Sequence, residues 1–72
     1  MENSLKAARL SKNMTQAELS EKSGVSIAII CYLETGVRND VKLSTMRRIS
    51  NALETPTEEV FASFFDKNSN EL

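Results

Sequence analysis

The sequence has no histidine and no tryptophan, and it has only one cysteine, one proline and two glycines. Without histidine the commonest general base is missing. A lone thiol, Cys31, can form neither an intrachain disulfide nor a zinc site. The glycines, Gly24 and Gly36, do not make a phosphate-cradling loop. No acid, base, nucleophile or metal constellation stands out, so the chain is expected not to be an enzyme and to use no cofactor. No small-molecule ligand is evident either. No apolar run reaches transmembrane length, and no signal-peptide h-region is present. A soluble cytoplasmic protein without membrane contact is the expectation, and a free thiol is unremarkable there. Cys31 is expected to be a small filler.

What is present is room for one domain: 72 residues, for which a single core is marginal. With metal and disulfides set aside, regular helix packing and self-association remain to stabilise it. Net charge is −1, yet it is unevenly placed. Residues 1–48 carry eight Lys/Arg against five Asp/Glu, a balance of +3, and residues 49–72 carry one against five, a balance of −4. Such polarity lets the first part face phosphate while the tail faces elsewhere.

Helix punctuation is frequent and strand signals are weak. A first helix is expected over 4–12, with Asn13 suited to its end. Thr15-Gln16-Ala17-Glu18 has the form of a capping box, in which hydroxyl and carboxylate each accept from the other residue's backbone N–H. The helix it opens runs to about Lys22, and Gly24 supplies the left-handed residue that stops it. Ser26 is a good N-cap for a third helix, which should reach Thr35 before Gly36. Residues 37–42 read as a loop. The fourth helix is expected over 43–54, with Leu43, Met46, Ile49 and Leu53 at helical spacing. Either Ser44 caps it or Lys42 occupies the cap position without helping. Thr55-Pro56-Thr57-Glu58 reads as a second capping box opening a helix over 56–65. Residues 1–65 then form an all-α, compact five-helix bundle, and 66–72 a frayed polar tail.

The informative stretch is Gln16 to Leu33. Leu19 points inward, Ser20 is small, Gly24 turns the chain, and Val25, Ile30 and Leu33 form the next inner stripe. That spacing crosses two short helices steeply over a tight turn and leaves the outer face of the second one open. Arg9, Thr15-Gln16, Leu19, Gly24-Val25-Ser26, Ile30, Leu33-Glu34 and Gly36, in this order and register, resemble the lambda-repressor-like, Cro/C1-type (XRE-type) helix-turn-helix family. The resemblance covers roughly residues 4–65. Ser20 and Ser23 depart from it, standing where alanine and an apolar residue are commoner.

The resemblance implies a small transcriptional regulator, a repressor by expectation, binding double-stranded DNA with helix 26–35 in the major groove. Gln16 would reach a phosphate from the positive end of its helix. Ser26, Ile27, Ala28 and Tyr32 would face the groove. Arg38 and Asn39 would follow the backbone, with Lys42 a weaker candidate, while Arg47 and Arg48 read as a solvated face. Arg9 and Glu34 would form a structural ion pair. Ile27 and Ala28 cannot make the polar forks that Asn, Gln or Arg make with purines, but they can touch thymine methyl groups. Phe61 should close the core, with Val60, Phe64 and Phe65 a homodimer patch that sets two recognition helices on a palindromic operator. The competing expectation is a protein-interaction module, an antitoxin or adaptor, that keeps this fold and docks a protein on the apolar face of Ile27, Ala28, Ile29 and Tyr32.

Overall fold

The fold can be followed from one helix end to the next in a computed structural model that describes residues 3–36 and 41–64. Helix α1 is Ser4–Ser11. The Asn3 side chain opens it by accepting from the Lys6 backbone N–H at 2.9 Å, as an N-cap asparagine does. Its amide also donates to the Leu33 carbonyl at 2.7 Å, tying the head of α1 to the third helix. Leu5 and Arg9, one turn apart, face inward. The chain leaves α1 through Asn13, whose φ is 55°.

Helix α2 is Gln16–Ser23. Its capping box is complete: Thr15 Oγ1 accepts from the Glu18 N–H at 3.0 Å, and Glu18 Oε1 accepts from the Thr15 N–H at 2.9 Å. Those two bonds satisfy donors that an α-helix otherwise leaves open. Gly24 ends the helix at φ 74°, a left-handed conformation that a Cβ disfavours. Helix α3 follows as Ile27–Thr35, with Ser26 Oγ accepting from the Ala28 N–H at 3.1 Å.

Helix α4 is Leu43–Ala52. Lys42 occupies its cap position without a side-chain bond, so Ser44 is not the cap. Met46, Ile49 and Leu53 are buried, but Leu43 is 55% exposed. The apolar spacing includes Leu43, yet the first residue of α4 lies outside the packed turns. The chain leaves α4 through Glu54 at φ 51°. The second capping box does not form. Thr55 Oγ1 instead donates to the Leu53 carbonyl at 2.9 Å, an acceptor that the end of α4 leaves open. Pro56 is therefore the cap residue of α5, Thr57–Val60. The expected helix over 56–65 is interrupted at Phe61, and helical backbone resumes over 62–64.

The core gathers one or two residues from every element: Leu5, Leu19, Val25, Ile30, Leu33, Met46, Ile49, Leu53, Val60 and Phe61. Phe61 is fully enclosed, and the Phe64 ring meets its ring edge-on at 5.2 Å. A hydroxyl pair closes the bundle beside them. Ser4 Oγ donates to the Val60 carbonyl at 2.6 Å and lies 2.9 Å from Ser63 Oγ. One hydroxyl has one proton, so Ser63 must be the donor in that second contact.

Glu54 stands in the conformation that glycine tolerates best, and its carboxylate follows the negative end of α4. Glu54→Gly removes both penalties but loosens the unfolded chain. The expected net gain is about 0.5–1 kcal/mol. Thermal unfolding measures it, and a melting temperature at or below that of the parent would refute the claim that this residue is strained.

Candidate nucleic-acid interface

The turn between α2 and α3 is held more firmly than its glycine alone requires. Ser20 Oγ donates to the Val25 carbonyl at 2.6 Å, and Ser23 Oγ accepts from the Val25 N–H at 3.1 Å. Both serines that depart from the family pattern thus bind the same residue from opposite sides. Val25 is itself buried, which fixes where α3 starts.

Beneath α3 lies a charged network. Arg9 Nε donates to Glu34 Oε2 at 2.6 Å and Arg9 Nη2 donates to Glu34 Oε1 at 2.9 Å, a two-point pair with side chains only 9% and 3% exposed. Arg9 Nη1 donates to the Met14 carbonyl at 2.7 Å. The guanidinium therefore links α1, the segment leading to α2, and the end of α3. Gln16 joins the same carboxylate, its Nε2 donating to Glu34 Oε1 at 3.1 Å. That bond sets the amide's orientation, because only the nitrogen can face a carboxylate. One amide N–H of Gln16 is thus engaged inside the protein and the other remains to donate. Among the described residues no buried side-chain polar atom lacks a partner.

Above this network α3 presents a neutral outer side. Ser26, Ile27, Ala28, Tyr32 and Thr35 are exposed, and Cys31 is half-buried. At helical spacing 27, 31 and 35 align, with 28 and 32 beside them. Ile27 is 47% and Tyr32 45% exposed. Ile29 instead packs against the core, which removes it from the apolar outer face expected at the sequence level. The only charged side chain on α3, Glu34, is buried.

The first turns of α2 and α4 carry exposed residues, among them Ala17 and Glu18 on one and Leu43 on the other. Glu18 sits in the first turn of α2. The Thr15 backbone N–H and then the Thr15 hydroxyl hold its carboxyl below the ordinary carboxylate range, against a small desolvation penalty. Lys42 heads α4 and is exposed. Arg38, Asn39, Phe65 and the 66–72 tail lie outside the described residues. Val60 requires a correction. It is fully buried in the monomer core and so lines no surface for a partner subunit. A hydrophobic residue one position before Phe61 fits either role in the sequence, and packing against α1 decides it. A surface groove runs between Ala7 and Lys12 on one side and Pro56 and Glu59 on the other, and no residue of α3 lines it.

Sequence reasoning missed three features here: the Asn3 bridge to Leu33, the Ser4–Ser63 pair, and the Gln16 bond to Glu34. An asparagine directly before a helix signals only its local cap bond to the Lys6 N–H. All three missed bonds join residues far apart in sequence and left no local trace.

The sequence matches the helix-turn-helix family, of the XRE/Cro-C1 type, over residues 5–60. The chain belongs to that family, whose members are DNA-binding regulators. No curated protein matches it. Among the described residues, no helix is long and apolar enough to cross a membrane, and no group of His, Cys, Asp or Glu could hold a metal ion.

Proposed function

We propose that this protein is a cytoplasmic, sequence-specific repressor that binds duplex DNA with the outer side of α3 in the major groove and occludes promoter sequence. The observation that carries the reading is the exposed stripe Ser26, Ile27, Ala28 and Tyr32 on a helix whose inner side is locked by Leu33 and the Arg9–Glu34 pair. A rigid helix with a free outer side is what groove entry needs. Gln16 donates its second amide N–H to a phosphate at the head of α2, with Glu34 holding the first. Arg38, Asn39 and Lys42 track the backbone. Two copies, associating near Phe64 and Phe65, place two α3 helices on an inverted repeat.

Binding-site selection on random duplexes, followed by titration of the recovered site, tests this. The expected site is an inverted repeat with half-site centres about 34–36 Å apart. Affinity should fall steeply with salt, and Arg38→Ala should reduce the slope by about one unit. A single half-site would refute the dimer, and an unchanged slope would refute the Arg38 contact.

A second reading is favoured by one observation, the exposure of Ile27 and Tyr32. There the same face docks a protein, as an antitoxin or adaptor does. With Ile29 turned to the core, that face reduces to Ile27, Ala28 and Tyr32. A protein complex whose affinity barely changes with salt, together with no duplex binding, would select it over the first reading.

A further inference from the structure

We infer that α3 reads its operator chiefly through thymine methyl groups, with Ile27 and Ala28 as the residues that set specificity. The inference rests on the DNA-binding reading above and deepens it. Strong polar readout in the major groove uses Arg or Lys on guanine, Asn or Gln on adenine, or a carboxylate on cytosine. The outer side of α3 has none of these. Its one charged residue, Glu34, is buried against Arg9 and Gln16. Two of its hydroxyls each spend one function within the helix, Ser26 Oγ accepting from the Ala28 N–H and Thr35 Oγ1 donating to the Tyr32 carbonyl, which leaves the Ser26 proton and the exposed Tyr32 hydroxyl as its polar groups.

Ile27 and Ala28 are the first two residues of α3, and both are exposed. The N-terminal end of a recognition helix is the part that reaches base edges. The thymine C5 methyl is the apolar group that B-DNA displays in this groove. Apolar side chains there discriminate in two directions. They remove a thymine methyl from water, which is favourable. They also strip water from guanine O6 and N7 or cytosine N4 without replacing its hydrogen bonds, which is unfavourable. Charge completes the match, since the part of the chain that carries this face has a balance of +3 and the duplex is a polyanion.

The test changes the DNA first and then one residue of the protein. Random duplexes are selected for binding at physiological salt, and the most enriched duplex is remade with deoxyuridine in place of each thymine in turn. Uracil keeps every hydrogen bond and lacks only the methyl. Affinity should fall about fourfold for each methyl in contact. Exchanging such a thymine for 5-methylcytosine should be tolerated better than exchange for cytosine. With Ile27→Ala, at an exposed position, at least one of the thymine-to-uracil losses should disappear. Equal affinity for thymine and uracil duplexes at every position overturns this inference and leaves the regulator reading standing. Failure to enrich any duplex, with no salt-dependent binding, overturns both.

Discussion

Replacing Ala28 with glutamate is expected to abolish duplex binding while leaving the fold intact or slightly more stable. Ala28 is exposed and lies in the first turn of α3, just after the Ser26 cap. A carboxylate in a first turn interacts favourably with the helix dipole. The same carboxylate, carried into a groove walled by phosphates, meets like charge on both sides. Such juxtaposition costs several kcal/mol, so affinity should drop at least about a hundredfold. Circular dichroism and a melting curve establish the fold, and fluorescence anisotropy with a labelled duplex measures the loss. The opposite movement of the two readouts makes the result specific. Folded Ala28→Glu protein that binds duplex as well as the parent would place α3 outside the groove.

The largest expected effect on stability is at the charged network. Glu34→Ala removes the carboxylate that accepts from Arg9 Nε and Nη2 and from Gln16 Nε2, at a site where the Arg9 side chain is only 9% exposed. Breaking one side of a buried pair costs about 3–5 kcal/mol. At roughly 0.05–0.15 kcal/mol per residue, a domain of this size has only about 4–11 kcal/mol in all. The melting temperature should therefore fall by at least about 12 °C. Arg9→Met combined with Glu34→Leu should recover much of that, because apolar replacement removes the buried cation together with the carboxylate. Recovery will be incomplete, since the Met14 carbonyl still loses the Nη1 donor. Urea unfolding of the single and double variants measures the difference. A double variant as unstable as the single one would mean that the pair itself, and not the buried cation left behind, sets the cost.

The helix boundaries depend on local chemistry, and most of them were legible. Thr15 and Glu18 form the box their spacing implies, Ser26 caps α3, and Asn13 and Gly24 take the left-handed conformations that end α1 and α2. The second box failed on equally local grounds. Thr55 had a competing acceptor in the Leu53 carbonyl, and the sequence does not show which of two short-range bonds a hydroxyl takes. Leu43 and Val60 show a different limit. Both satisfy an apolar pattern, but one is exposed at a helix start and the other is sealed beneath α1. Periodicity tells which residues share a face and is silent on how far along the helix the neighbour extends.

The candidate site was less legible than the fold. The stripe from Ser26 to Tyr32 follows from helical spacing once α3 is placed, but the inward turn of Ile29 does not, because an apolar residue flanking the core fits either environment. Gln16 was singled out for a phosphate. Its engagement with Glu34 depends on α2 and α3 crossing close to α1, a tertiary fact. Ser20 and Ser23 looked like departures in the sequence and in the structure brace the turn. Polar side chains are hard to assign from sequence for this reason: their value depends on a partner's position to within a few tenths of an ångström.

Cys31 offers the most direct probe of whether a groove receives this helix. It is the one thiol of the chain and sits half-buried between Ile27 and Thr35 on the outer stripe. Its alkylation rate, followed by mass spectrometry with increasing amounts of the selected duplex, should decline in step with the fraction of protein bound and return when salt releases the DNA. A thiol that reacts equally fast in the free protein and at saturation would contradict the account.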